Sequence, residues 1–141
     1  MKNKNVILVT GSAGFIGSAL TLKLLKNGKM VVGIDNLNSY YSKKLKISRL
    51  DRHLHHKNYK HFNFSIENRK KLKKVFEKFN ITKVVHLAAQ PGVRYSLENP
   101  SSYFKTNLSG FGNLIELSKI HKIKHFLYAS SSSVYGLNNK L

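Results

Sequence analysis

The run Val6-Ile7-Leu8-Val9-Thr10-Gly11-Ser12-Ala13-Gly14-Phe15-Ile16-Gly17 constrains the fold more than any other part of the chain. Val6 to Thr10 is unbroken by charge, the pattern of a strand covered on both faces of a parallel sheet. Gly11, Gly14 and Gly17 follow and lead into a helix. A strand, a glycine turn and a helix start together form a seat for the pyrophosphate of a dinucleotide. Backbone N–H groups point at the phosphates, and the helix dipole favours their negative charge. Side chains at the glycine positions would block that approach. The spacing is Gly-x-x-Gly-x-x-Gly, which departs from the commoner Gly-x-Gly-x-x-Gly.

Strands and helices alternate along the rest of the chain. The pattern predicts a helix from Ile16 to Lys26, with Ala19, Leu20, Leu22, Leu24 and Leu25 as its apolar face and Asn27-Gly28 as its cap. Met30–Ile34 reads as the second strand and ends at Asp35. A polar loop, Asn36 to Ser42, precedes a helix over Lys43 to His56, and Tyr59–Phe64 is the third strand. Arg69 to Phe79 is amphipathic, with Leu72, Val75, Phe76 and Phe79 at helical spacing. Lys83–Leu87 is the fourth strand. Pro91, Gly92 and Pro100 mark a loop, Ser101 caps a long helix to about His121, and Lys124–Ser130 is the fifth strand. The expected fold class is therefore α/β: an incomplete Rossmann doubly wound parallel sheet of about five strands, with the ligand across their carboxyl ends.

Composition narrows the classes further. The 141 residues suit one domain, and the absence of cysteine removes disulfides and cysteine-bound zinc. No apolar run approaches the roughly 20 residues that span a bilayer. Lys2 and Lys4 before Val6–Val9 resemble the start of a signal peptide, but the glycines interrupt the run, so a cytoplasmic protein without a membrane partner is expected. The net charge of +19 points toward anionic partners. Planar recognition of bases and phosphates favours arginine, yet only Arg49, Arg52, Arg69 and Arg94 are present and the lysines are spread out. A solvated lysine surface, rather than nucleic-acid binding, is the expectation. His53, His55, His56 and His61 cluster with Asp51 alone as a carboxylate, so no metal site is expected.

Asp35 closes the second strand, where a carboxylate accepts both hydroxyls of an adenosine ribose and repels a 2′-phosphate. NAD is thus favoured over NADP, with Lys43 and Lys44 close enough in sequence to keep NADP open.

Three segments carry a family likeness. They are Gly33-Ile34-Asp35-Asn36-Leu37-Asn38-Ser39-Tyr40-Tyr41, His86-Leu87-Ala88-Ala89-Gln90-Pro91-Gly92-Val93-Arg94-Tyr95-Ser96, and Tyr128-Ala129-Ser130-Ser131-Ser132-Ser133-Val134-Tyr135-Gly136. In this order they resemble the NAD-dependent nucleotide-sugar epimerases and dehydratases of the extended short-chain dehydrogenase/reductase family, the UDP-glucuronate 4-epimerase branch above all. The resemblance implies roles for single residues. Gly11, Gly14 and Gly17 match the phosphate loop, with Phe15 and Ile16 closing over the cofactor. Asp35, Asn36 and Asn38 match positions around the adenosine ribose. Ser65 and Ile66 stand where the family often has an aspartate against the adenine. Leu87, Ala88 and Ala89 match the stretch beside the cofactor, and Asn107 matches a helix asparagine. Ser131 matches the catalytic serine that bonds the reacting sugar hydroxyl, Ser133 a substrate contact, and Arg94 a position near an acidic sugar group.

The family also uses Tyr-x-x-x-Lys on a later helix. Here only Tyr40 has a lysine four residues on, Lys44, at the adenosine end, and Tyr135 is followed at that spacing by Asn139. The resemblance therefore implies a truncated NAD-binding Rossmann domain over residues 1–141, without the C-terminal catalytic helix and sugar-binding domain, and inactive alone. The complete enzyme would convert UDP-glucuronate to UDP-galacturonate by transient hydride transfer to NAD, and whole members often form homodimers. Two alternatives stand beside it: a nucleotide-sugar dehydratase or decarboxylase of the same family, and a non-catalytic NAD-binding remnant. Dehydratases commonly carry an acidic residue where Ser132 and Ser133 stand. Phe126-Leu127-Tyr128 is expected to form an unprotected sheet edge.

Overall fold

A computed structural model describes residues 5–136. Lys2, Lys4 and Asn139 lie outside the described residues. Five strands, β1 (Val6–Thr10), β2 (Met30–Asp35), β3 (Tyr59–Asn63), β4 (Ile81–His86) and β5 (His125–Tyr128), form one sheet in the order β3-β2-β1-β4-β5. Every pairing is parallel. The order reverses direction at β1, which creates the crevice where doubly wound sheets hold their ligands.

Helices cover both faces. On one, α1 (Phe15–Lys26) and α2 (Lys43–Asp51) bring Leu25 and Leu50 onto Val9, Val31 and Tyr59. On the other, α3 (Arg69–Lys78) packs Leu72, Val75 and Phe76 against Val6, Leu8, Val32, Ile34 and Val84, together with Leu114 and Leu117 of α6 (Phe111–Ile120). The buried β1 residues Val6, Leu8 and Val9 explain why that strand carries no charge.

The structure corrects the sequence reading in several places. In α1 the buried residues are Gly17, Ser18, Thr21 and Leu25, while Ala19 is exposed. Close approach of this helix to the sheet selects small side chains over the bulkier leucines. Its cap is as expected: Gly28, at φ +69°, donates to the Leu25 carbonyl and Lys29 to the Leu24 carbonyl. α2 ends at Asp51, well before His56. The segment between Gly92 and Pro100 is not a loop but contains a short helix, α4 (Val93–Glu98). Ser101 is not a cap. Asn99 precedes the next helix, α5 (Pro100–Tyr103), with Pro100 in the first helical position, where a missing N–H costs nothing. Through a wider π turn over Phe104–Gly110, α5 runs on into α6.

Candidate functional site

One cleft of about 480 Å³ opens at the carboxyl ends of the strands. Gly11, Gly14, Phe15, Ile16 and Gly17 line it from the turn after β1, and Asp35, Asn36 and Asn38 from the end of β2 and the loop beyond. Ser65 and Ile66 reach it from after β3, and Leu87, Ala88 and Ala89 from after β4. These positions, scattered in sequence, are thus brought together along one cleft.

The glycine turn is tight against its surroundings. Gly11 has φ +70°, and a Cβ there would come within 2.9 Å of the Ala88 nitrogen. A Cβ on Gly17 would lie 2.0 Å from the Gly11 carbonyl oxygen. Gly14, at the N-terminus of α1, offers no side-chain cap, and the first turn holds no acidic residue. A cradle of backbone N–H groups that side chains would fill, at the positive end of a twelve-residue helix, fits a pyrophosphate.

Asp35 is buried beside this cradle. Its Oδ2 accepts the Ala13 N–H at 3.1 Å and its Oδ1 the Leu37 N–H at 2.9 Å. Each oxygen keeps acceptor capacity for a ribose hydroxyl. Lys43 and Lys44 do not line the cleft. The cations that do are Lys46, whose Nζ donates to Asn38 Oδ1 at 2.7 Å, and Arg49, whose guanidinium lies over the Phe15 ring at 5.5 Å. Lys46 lies about one helical turn beyond Ser42 and Arg49 about two, and with Leu45 they form the face of α2 turned to the cleft; helical spacing from Ser42 was the available signal.

The wall after β4 is pinned twice. The Thr10 hydroxyl oxygen accepts N–H bonds from Leu87 and Ala88, both at 3.2 Å, and lies 2.7 Å from His86 Nδ1. With both N–H groups donating to it, the hydroxyl gives its own proton to the imidazole. His86 is buried and stacked on Phe111, and burial pushes its pKa down to about 4. Further along, Asn107 Oδ1 accepts the Gln90 N–H at 2.8 Å while its Nδ2 donates to the Gln90 carbonyl at 3.0 Å. Asn107 is therefore engaged with the loop backbone and does not line the cleft; Thr106 does.

The expected sugar-side residues do not line the cleft either. Arg94 is exposed on the first turn of α4. Ser131 and Ser133 are exposed; Ser131 caps the 3₁₀ turn Ser132–Tyr135, its Oγ accepting the Ser133 N–H at 3.2 Å. Ala129, just before this turn, does line it. Sequence reasoning also missed Tyr40, Tyr41, Gln90 and Pro91 as lining residues.

Of the clustered histidines, His53 and His61 turn inward. Tyr59 reaches across β2 to donate to Ser12 Oγ at 3.2 Å, His61 Nδ1 is 3.2 Å from the same hydroxyl, and the His53 ring stands edge-on to Tyr59 at 4.7 Å. Burial lowers His53 to about 4, lowers His61, and raises Tyr59 to about 12. Among the described residues no group of three or more His, Cys, Asp or Glu could hold a metal ion, and no helix is long and apolar enough to cross a membrane.

Known proteins resemble this arrangement. The sequence model of the family described as GDP-mannose 4,6 dehydratase matches residues 8–141. Protein CapI of Staphylococcus aureus is 49% identical over 132 residues, covering 94% of this chain and 39% of its own length. A UDP-glucuronate 4-epimerase of Thermodesulfobacterium geofontis is 48% identical over 128 residues, covering 91% of this chain and 40% of its own. The crystal structure of UDP-glucuronic acid 4-epimerase from Bacillus cereus, in complex with UDP-glucuronic acid and NAD, superposes with a TM-score of 0.87 at 38% identity, over 95% of this chain and 42% of that one. The chain thus spans about two fifths of the length of these relatives.

Proposed function

The chain belongs to the GDP-mannose 4,6-dehydratase family, and on that premise we propose that it is the NAD-binding, N-terminal part of a nucleotide-sugar 4-epimerase acting on UDP-glucuronate. The observation that carries this reading is the cleft itself, which gathers the glycine cradle, Asp35 and the Leu87–Ala89 wall at the switch point of the sheet. The relatives named above support the substrate.

In this reading the N–H groups of the first turn of α1, Phe15 to Gly17, hold the pyrophosphate above the glycines Gly11, Gly14 and Gly17, the N–H groups of Gly11 and Gly14 being bonded to the Ile34 and Gly11 carbonyls. Asp35, with Asn36 and Asn38, holds the adenosine ribose, and Ser65 and Ile66 lie against the adenine. Leu87, Ala88 and Ala89 pass beside the nicotinamide half. Asn107 positions that wall through Gln90. Ser131 bonds the reacting sugar hydroxyl, Ser133 assists, and Arg94 meets the sugar carboxylate. NAD, when bound, supplies a hydride acceptor that returns the hydride to the opposite face of the sugar. Among the described residues the proton acceptor of the family, a tyrosine with a lysine one helical turn on, has no counterpart at the nicotinamide end, and in this reading the chain alone does not turn over. The same reading places the complete enzyme in the cytoplasm and allows it to pair as a homodimer.

Calorimetric titration with NAD tests the binding role. One equivalent should bind, and Asp35→Ala should weaken binding about tenfold or more, the worth of charge-assisted hydrogen bonds. Absence of heat with the parent chain would refute it. Epimerised UDP-sugar appearing in proportion to this polypeptide would refute the claim of inactivity. A second reading, a nucleotide-sugar dehydratase, is favoured by the description of the matching family; in a complete enzyme it predicts a 4-keto-6-deoxy sugar as the accumulating product.

A further inference from the structure

Four tyrosines gather beside the cleft. Tyr40 and Tyr41 come from the loop between β2 and α2, Tyr95 from α4 and Tyr103 from α5. Ring centroids are 4.7 Å apart for Tyr40 and Tyr41, 5.0 Å for Tyr40 and Tyr95, and 6.3 Å for Tyr95 and Tyr103. The Tyr103 hydroxyl donates to the Pro91 carbonyl at 2.6 Å and also meets the Gly92 carbonyl. The turn after β4 is thereby held from one side. From the other, the Tyr40 hydroxyl lies so close to Gly92 that a Cβ there would come within 2.1 Å of it. Gly92 has φ +100°, so both its backbone and its surroundings exclude a side chain.

The two loops in contact belong to strands on opposite sides of β1. Neighbouring strands lie about 4.8 Å apart, so the contact links loops rooted roughly 10 Å apart. Tyr40 and Pro91 both line the cleft. The contact of Tyr40 with Gly92, next to Pro91, and with Tyr95 therefore bridges the cleft from its adenosine side to the wall after β4, past the glycine turn that follows the strand between them. A dinucleotide lying across that turn would be enclosed by the bridge.

We propose that Tyr40, seated on Gly92 and Tyr95, is a clasp over the cleft whose opening governs entry and exit of the dinucleotide. The proposal rests on the reading of the cleft as a dinucleotide site. A clasp and a plain contact residue differ kinetically. Loss of a contact speeds release alone, whereas loss of a clasp speeds both binding and release.

Stopped-flow fluorescence with NADH, on the chain as given, measures both rates. Tyr40→Ala should raise both by about tenfold, with the dissociation constant changing much less. Tyr95→Ala should act in the same direction. Tyr95 does not line the cleft, so its effect cannot come from a lost nucleotide contact. Unchanged rates in both variants, or a rise in release alone, would overturn the clasp. If the parent chain binds no NADH, the dinucleotide reading itself has failed, and hydrogen exchange still reads the bridge. Amides of residues 36–42 and 92–97, including Ser96, whose N–H is bonded to the Gly92 carbonyl, should exchange faster in Tyr40→Ala. Equal exchange in parent and variant would overturn the bridge whatever the ligand.

Discussion

Acid should weaken this fold through two particular histidines. His53 is 2% exposed, and neither ring nitrogen has a hydrogen-bond partner among the described residues. His86 is 7% exposed and uses Nδ1 to accept the Thr10 proton. Both rings are buried neutral, with pKa values near 4 against 6.5 when unfolded. The folded pKa is the lower one, so the unfolded chain binds more protons as pH falls. The stability is present in full above pH 6.5 and is lost progressively toward pH 4. At about pH 5 each histidine should cost about 2 kcal/mol, and the pair about 4 kcal/mol. That is a large share of the roughly 5–15 kcal/mol that holds an ordinary domain together. His61, lowered by burial as well, acts in the same direction.

Urea denaturation of the parent at about pH 7.5 and about pH 5 should show a midpoint lower by about 2 M in acid, for a slope of about 2 kcal/mol/M. The comparison is a double variant, His53→Phe with His86→Asn. The asparagine Oδ1 can still accept the Thr10 proton, and neither new side chain titrates. General repulsion among the other positive charges is common to both proteins and cancels. The double variant should lose less than half as much of its midpoint. An equal loss in both proteins would refute the assignment to these two rings.

Gly17→Ala should cost about 3 kcal/mol or more, because its Cβ would lie 2.0 Å from a backbone oxygen; a melting temperature within a few degrees of the parent would contradict this. Asn107→Ala removes both partners of the Gln90 backbone and should cost about 2 kcal/mol, read by urea midpoint, with faster exchange of the Gln90 amide. β5 is an edge strand with Leu127 and Tyr128 about half exposed, so the isolated chain should associate as its concentration rises. Leu127→Lys should suppress that in sedimentation velocity, and a parent that stays monomeric would count against it.

The sheet was legible because β1 and β2 are short apolar runs and the remaining strands are short segments rich in aromatic and β-branched residues between turn residues. β1, β2 and β3 begin where the sequence places them. The glycine cradle, Asp35 and the Leu87–Ala89 wall were legible for a related reason. Each ends a strand or follows it directly, so the end of the strand fixes its place in the crevice. What was not legible depends on side chains from distant elements. α4 lies between Gly92 and Pro100, whose local signals both say loop, and its Tyr95 packs against Tyr40 and Tyr103 from other elements. Lys46 and Arg49 reach the cleft only because α2 presents one face to it, which a count of neighbouring lysines cannot show. The π turn at Phe104–Gly110 has no composition of its own. It coincides with Asn107, whose amide is committed to Gln90 far back in sequence.

The strand order has a consequence for synthesis. β1 is the centre of the sheet and precedes its partner strands in the chain. Its partner on one side, β2, arrives soon after, but Val6 and Leu8 wait for Ile81 and Val84 on the other. At about 5–20 residues per second, several seconds pass between the two. During that interval the apolar centre of the future sheet has one open edge, closed only by a contact of long sequence separation, the kind that forms slowly. The nascent chain is then exposed to mispairing with another copy, and a chaperone that shields β1 until β4 appears should raise the yield of folded protein.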